Sequence, residues 1–143
     1  MENRYLFRAK RTDTGEWVEG HLITDETDDS KCFIGYVIGT DEDGIPHDLD
    51  VAQVDPSTIC QCTGLKDKNG KLIWENDIVA YWDTYSTENG LAEADCVGKV
   101  VWDDETISFQ VTNRLCAESY EVLDECSVIG NTIDNPELLE GEI

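Results

Sequence analysis

A chain of 143 residues is the size of one ordinary domain or two very small ones, and 40% apolar residues, with four Trp and five Tyr, suffice for a buried core. Its charge is extreme: 32 acidic against 10 basic residues leave a net −22. That field repels phosphate backbones and anionic membrane, and only Arg4, Arg8, Lys10 and Arg11 cluster as cations, so direct nucleic-acid binding and membrane association are excluded.

No apolar run approaches the roughly 20 residues of a membrane helix. Met1-Glu2-Asn3-Arg4 leads straight into an alternating strand, with no apolar core of a signal peptide. The expectation is a protein of the cytoplasm whose six cysteines (Cys32, Cys60, Cys62, Cys96, Cys116, Cys126) are reduced thiols rather than a disulfide framework.

In chain order, Tyr5, Phe7 and Ala9 alternate with Leu6, Arg8 and Lys10, the period-two pattern of a half-buried strand. Asp13-Thr14-Gly15 supplies a turn, and Trp17 to Ile23 returns as the second strand of a hairpin. After the acidic loop 25–29 comes a strand at Cys32–Ile38, closed by Asp41-Glu42-Asp43-Gly44. Leu49–Val54 is a weaker strand, stopped by Asp55-Pro56-Ser57.

The second half begins at about Thr58. Asn69-Gly70 between Leu65 and Leu72-Ile73 is a strong hairpin signal, because both residues tolerate positive φ. Trp74 and a bend lead into the apolar strand 77–82, followed by a polar loop over 83–95 that contains Asn89-Gly90. Segments 98–103, 107–112 and 126–133 read as strands, and 115–123 as either strand or a helical turn. Asn135-Pro136-Glu137 is a helix-start pattern, so a short terminal helix is expected. Many short strands divided by Gly, Asn and Asp turns mean a mostly β protein. The expected division is an N-terminal antiparallel β part over 1–57 and a second part over 58–143.

Catalytic and metal chemistry find little support. Cys60 and Cys62, two apart on a strand, share a face, but a structural zinc site takes four ligands and no second pair exists. His21 and His47 are the only histidines, and with hydroxyls and acids so abundant a triad match carries no information. Acid clusters at 41–43, 48/50 and 103–105 lack the calcium-loop pattern, since Ala52 stands where its closing Glu belongs. Gly98-Lys99 lacks the flanking residues of a phosphate loop. Asp77, opening an apolar strand, reads as a carboxylate that accepts backbone N–H bonds and fixes a bend. No cofactor is expected, and catalytic, cofactor and metal residues are none.

Trp17, Trp74, Tyr81, Trp82 and Trp102 are core aromatics by default. Tyr81 and Trp82 are neighbours on one strand and must face opposite sides, so at least one is expected at a surface. Tyr81, Trp82 and Trp102 are therefore the candidate interaction surface.

Several segments resemble the YopX family of phage and prophage proteins: Gly15–Gly20, Ile59–Lys71, Ile73–Val79, Gly98–Asp103 and Val128–Leu139. Glu75-Asn76-Asp77 stands where the family commonly has Glu-Gly-Asp, and Asn tolerates the left-handed conformation, so the bend is expected to persist. Stretches 24–54, 82–97 and 104–127 are individual to this chain. The resemblance implies an SH3-like barrel in the C-terminal part, encoding by a phage or integrated element, and action in the bacterial cytoplasm. It supplies no catalytic residues.

The leading expectation is a non-enzymatic interaction protein that presents a surface to a host or phage protein, or to itself as a homo-oligomer. The alternative is an acidic decoy of a host nucleic-acid-binding protein, imitating phosphates spaced about 1.7 Å apart along duplex DNA. A metal-dependent enzyme ranks third.

Overall fold

Turn chemistry sets the strand boundaries in the N-terminal half of the computed structural model, which describes residues 5–112, 120–121 and 126–140. The protein is mostly β, in two antiparallel sheets. It divides into two units, Met1–Cys62 and Thr63–Ile143.

In the first unit, β1 (Phe7–Lys10), β2 (Trp17–Thr24), β3 (Cys32–Thr40), β4 (Pro46–Val54) and the start of β5 (Cys60–Lys66) pair in the order β4-β3-β2-β1-β5. The alternation of β1 holds: Ala9 lies in a core with Cys32, Ile34 and Val54, and Phe7 packs against it. On the other face the Arg8 guanidinium lies 4.8 Å over the Trp17 ring and the Lys10 ammonium 5.6 Å over it. The strands approach closely at Gly20, where an added Cβ would sit 2.2 Å from the Gly35 carbonyl oxygen.

Past β1 the chain meets the far end of β4: Arg11 bridges Val54, Thr12 N–H donates to the Gln53 carbonyl at 3.0 Å, and Asp55 N–H to that of Lys10 at 2.9 Å. β4 begins at Pro46, earlier than the Leu49 read from the sequence, so His47 lies in a strand rather than a turn. Proline is tolerated at the first residue of an edge strand, where its missing N–H costs no ladder bond.

The second unit holds the rest of β5, then β6 (Leu72–Trp74), β7 (Asp77–Thr87), β8 (Gly90–Asp103), β9 (Ser108–Thr112), β10 (Tyr120–Glu121), β11 (Ser127–Asn131) and α1 (Glu137–Glu140). Five of these strands form a sheet in the order β10-β9-β8-β7-β11, with no closure into a barrel among the described residues. Its core is Ile73, Val79, Val100, Val111 and Cys126, against which Tyr81, Phe109 and Val128 pack.

Two readings of the sequence need correction here. The polar stretch 83–95 is no loop: β7 and β8 stay paired from Trp82↔Asp95 out to Thr87↔Gly90. Its polarity concealed a ribbon whose hairpin signal was Asn89-Gly90, with Gly90 at φ 113°. The Asn69-Gly70 turn forms, but only Gly70 takes positive φ, 81°. Gly70 N–H donates to the Asp67 carbonyl at 3.0 Å and Asp67 N–H to the Lys71 carbonyl at 2.8 Å. That is a three-residue loop with glycine in the left-handed position, rather than a two-residue turn with both residues there. Of segment 115–123 only Tyr120–Glu121, a strand, lies within the described residues.

Candidate interaction surfaces and the residues that frame them

Much of the acidity has a local structural use. Aspartates at turns accept the backbone N–H two residues on: Asp25 from Thr27, Asp28 from Ser30, Asp41 from Asp43, Asp55 from Ser57 and Asp103 from Glu105, all at 2.9–3.0 Å. This is the Asx-turn, in which a short carboxylate replaces a backbone acceptor. The hydroxyls of Thr27 and Ser30 add bonds that hold Asp25 and Asp28 below the usual carboxyl range. Arg11 grips Asp13 with Nε and Nη2, each at 2.9 Å, which lowers the Asp13 pKa to about 2.

Among the described residues of the second unit, two carboxylates are buried, those of Asp67 and Asp77. Asp77 Oδ2 accepts Trp74 N–H at 2.8 Å across a bend in which Asn76 takes φ 70°, so the expected bend persists with Asn in the left-handed position. Sequence reading missed Asp67. Its Oδ1 accepts from Asn69 and Lys71 N–H, each at 2.9 Å, and its Oδ2 from Val128 N–H, also at 2.9 Å. The Val128 bond is the chief reason that its pKa lies below the ordinary value. Asp67-x-Asn69-Gly70 announces the turn bonds; nothing local announces a partner 61 positions away.

The remaining candidates scatter. Cys60 and Cys62 are both wholly buried on β5, and the Cys60 thiol donates to the Thr58 carbonyl at 3.3 Å. His21 is exposed on β2, and His47 on β4 has Nε2 3.7 Å from an Asp48 carboxylate oxygen. Among the described residues, no three His, Cys, Asp or Glu side chains are grouped to hold a metal ion. No helix among them is long and apolar enough to cross a membrane.

The three aromatic candidates do not meet on one surface. Register places Val79, Tyr81, Val100 and Trp102 on the inward face, through the pairs Val79↔Gly98, Tyr81↔Cys96, Val100↔Val111 and Trp102↔Phe109. Tyr81 packs on the core. Trp102 lies at its margin, 42% exposed, edge-on to Phe109 at 5.1 Å and with its indole N–H on Asp104 Oδ1 at 2.8 Å. Trp82, 59% exposed, points to the opposite face.

A second apolar set escaped sequence reading. On β3 and β4, Ile34 and Ala52 face the core as one cross-strand pair and Cys32 and Val54 as another. The alternate positions Val37, Leu49 and Val51 therefore point outward, 48%, 71% and 52% exposed. Ile23, paired with Phe33, joins them: its Cδ1 would lie 3.1 Å from a Cβ at Gly35. The weaker strand read at Leu49–Val54 does not say which of its alternating sets lies inside, and the fold buries Ala52 and Val54. The two alternating sets of a strand look equivalent until a neighbour covers one of them.

These features define a small, acidic protein built from two antiparallel β-sheets. The chain belongs to the YopX family, whose model, described as YopX protein, matches residues 6–140. It is also similar to a solved structure described as protein EF1440 from Enterococcus faecalis, with 26% identity and a TM-score of 0.51. That match covers 93% of this chain and 96% of the other. No curated protein matches.

Proposed function

We propose that this is a non-enzymatic interaction module, encoded by a phage or prophage and acting in the bacterial cytoplasm on a host or phage protein. The observation that carries the reading is a set of large apolar side chains left at the surface of a chain with net charge −22. Leu49, Val51 and Trp82 are each more than half exposed. A chain this charged has no need of apolar surface for solubility, and contiguous apolar patches mark interaction sites. The reading includes an SH3-like barrel for the second unit, supported by five antiparallel strands in one sheet around a single core.

The decoy reading has weaker support. A phosphate mimic needs carboxylates arrayed on one face, and Asp25, Asp28, Asp41, Asp55 and Asp103 each turn to their own loop.

Affinity capture from the host lysate, with the wild-type chain beside Trp82→Ala and Leu49→Lys variants, tests the module. One protein retained by the wild type and lost with either variant is expected. Retention of none, together with a monomer in light scattering, contradicts the proposal.

A further inference from the structure

Within the interaction-module reading, we infer that the open edge of β4 and the outward face beside it receive an extended segment of a partner in which aliphatic and cationic residues alternate, added as one more strand. The edge is available. Gln53 C=O and Asp55 N–H point away from β3, since they bond to Thr12 and Lys10, so odd-numbered positions of β4 turn their backbone groups outward. Leu49 and Val51 share that parity, and no strand among the described residues pairs with that side of them. The outward Val51 N–H is covered by the carboxylate of Asp50, Oδ1 at 2.8 Å, a local stand-in that an incoming carbonyl can replace.

Side chains specify the occupant. Leu49 and Val51, with Val37 across the pair and Ile23 beyond, form an exposed apolar face. An added strand extends that face with every second residue. Its other residues fall on the face of Asp48 and Asp50. No Lys or Arg occurs between Lys31 and Lys66, whereas Asp41, Glu42, Asp43, Asp48, Asp50 and Asp55 do. His47 Nε2 lies 3.7 Å from Asp48 Oδ2, while Arg11 reaches Tyr36 OH at 3.3 Å but has its fork on Asp13, and Tyr36 OH in turn donates to Asp50 at 3.1 Å. Cationic residues opposite Asp48 and Asp50 meet carboxylates that have no Lys or Arg ion pair among the described residues, and like charges opposite each other are unfavourable. The same charges oppose edge-to-edge pairing with a second copy, a recognised way of keeping edge strands apart. The alternation Asp48-Leu49-Asp50-Val51 thus rejects its own kind and selects a Lys/Arg-aliphatic alternation.

The test uses the full chain and two labelled peptides of identical composition, one alternating Lys and Val, the other with Lys and Val in separate blocks. Fluorescence anisotropy reads affinity at low and high salt. The alternating peptide is expected to bind at least tenfold more tightly than the block peptide, and more weakly as salt rises. Leu49→Lys and Asp48→Asn/Asp50→Asn should each weaken it about tenfold, the second also flattening the salt dependence. Leu49→Pro should abolish binding while the circular dichroism spectrum is retained, because only an outward N–H is lost.

Equal binding of both peptides reduces the site to a diffuse acidic field and overturns the proposal. So does an absence of binding, or a dimer of the free chain that Leu49→Lys dissolves, which would make a second copy the occupant. A Leu49→Lys chain that still captures the wild type's lysate partner sinks this edge but keeps the module, whereas no partner for either chain sinks the module itself.

Discussion

The two units use their acids over different spans of the chain. The second gathers Ile73, Val79, Val100, Val111 and Cys126 into one core and uses two buried carboxylates, Asp67 and Asp77, as backbone acceptors. The first has a smaller core of Ala9, Cys32, Ile34 and Val54, leaves Val37, Leu49 and Val51 exposed, and keeps most of its acids on turns and on β4. In one unit acids and apolar side chains hold the chain to itself. In the other, Asp25, Asp28, Asp41 and Asp55 hold only their own turns, and Leu49 and Val51 stay exposed on β4 beside Asp48 and Asp50. The difference separates a scaffold from a surface: segments 58–79 and 128–139 supply bends and turns, while stretch 24–54 supplies the exposed face.

Breaking either framework should have the largest effect. Gly20→Ala places a methyl group against the Gly35 carbonyl, and overpacking of that kind is expected to cost about 3 kcal/mol in chemical denaturation. Asp67→Ala leaves Asn69, Lys71 and Val128 N–H groups without their acceptor, for an expected loss of about 2 kcal/mol by the same measurement. A stabilising Asp67→Ala would remove the basis for calling the second unit a carboxylate-held scaffold.

A pH series sharpens the contrast. Because the folded-state pKa of Asp67 is depressed, its contribution is present above the unfolded value of about 3.9 and disappears as pH falls through the lower folded value. The stability gap between wild type and Asp67→Asn should thus be full above about pH 4 and narrow below it. A gap constant with pH would show that the carboxylate charge contributes nothing. The smallest effect belongs to the open face: Leu49→Ser should stay within about 0.5 kcal/mol of wild type, since an exposed side chain loses no burial. A larger loss would mean that Leu49 already has a partner within the fold.

Local chemistry made much of the fold legible. The Asp13-Thr14-Gly15 turn, the stop at Asp55-Pro56, the bend at Asn76-Asp77 and the opposed faces of Tyr81 and Trp82 all follow from residues close in sequence. The β7–β8 ribbon was obscured because its polar strands resemble a loop by composition. The Asp67–Val128 bond was out of reach because its halves lie in separate motifs. The interaction surface was read only in part: alternation predicts that Trp82 is outward once Tyr81 is inward, but no local rule says that Leu49 and Val51 yield the core to Ala52 and Val54. That choice is made by β3 and the core it covers.

Backbone amide hydrogen exchange, followed residue by residue with and without the alternating Lys/Val peptide, tests the central claim most directly. New protection is expected at the Leu49 and Val51 amides, with β7 and β8 around Trp82 and Trp102 unchanged. Protection appearing around Trp82 while Leu49 and Val51 exchange as before would contradict an edge-strand site on β4 and would move the binding surface to the second unit.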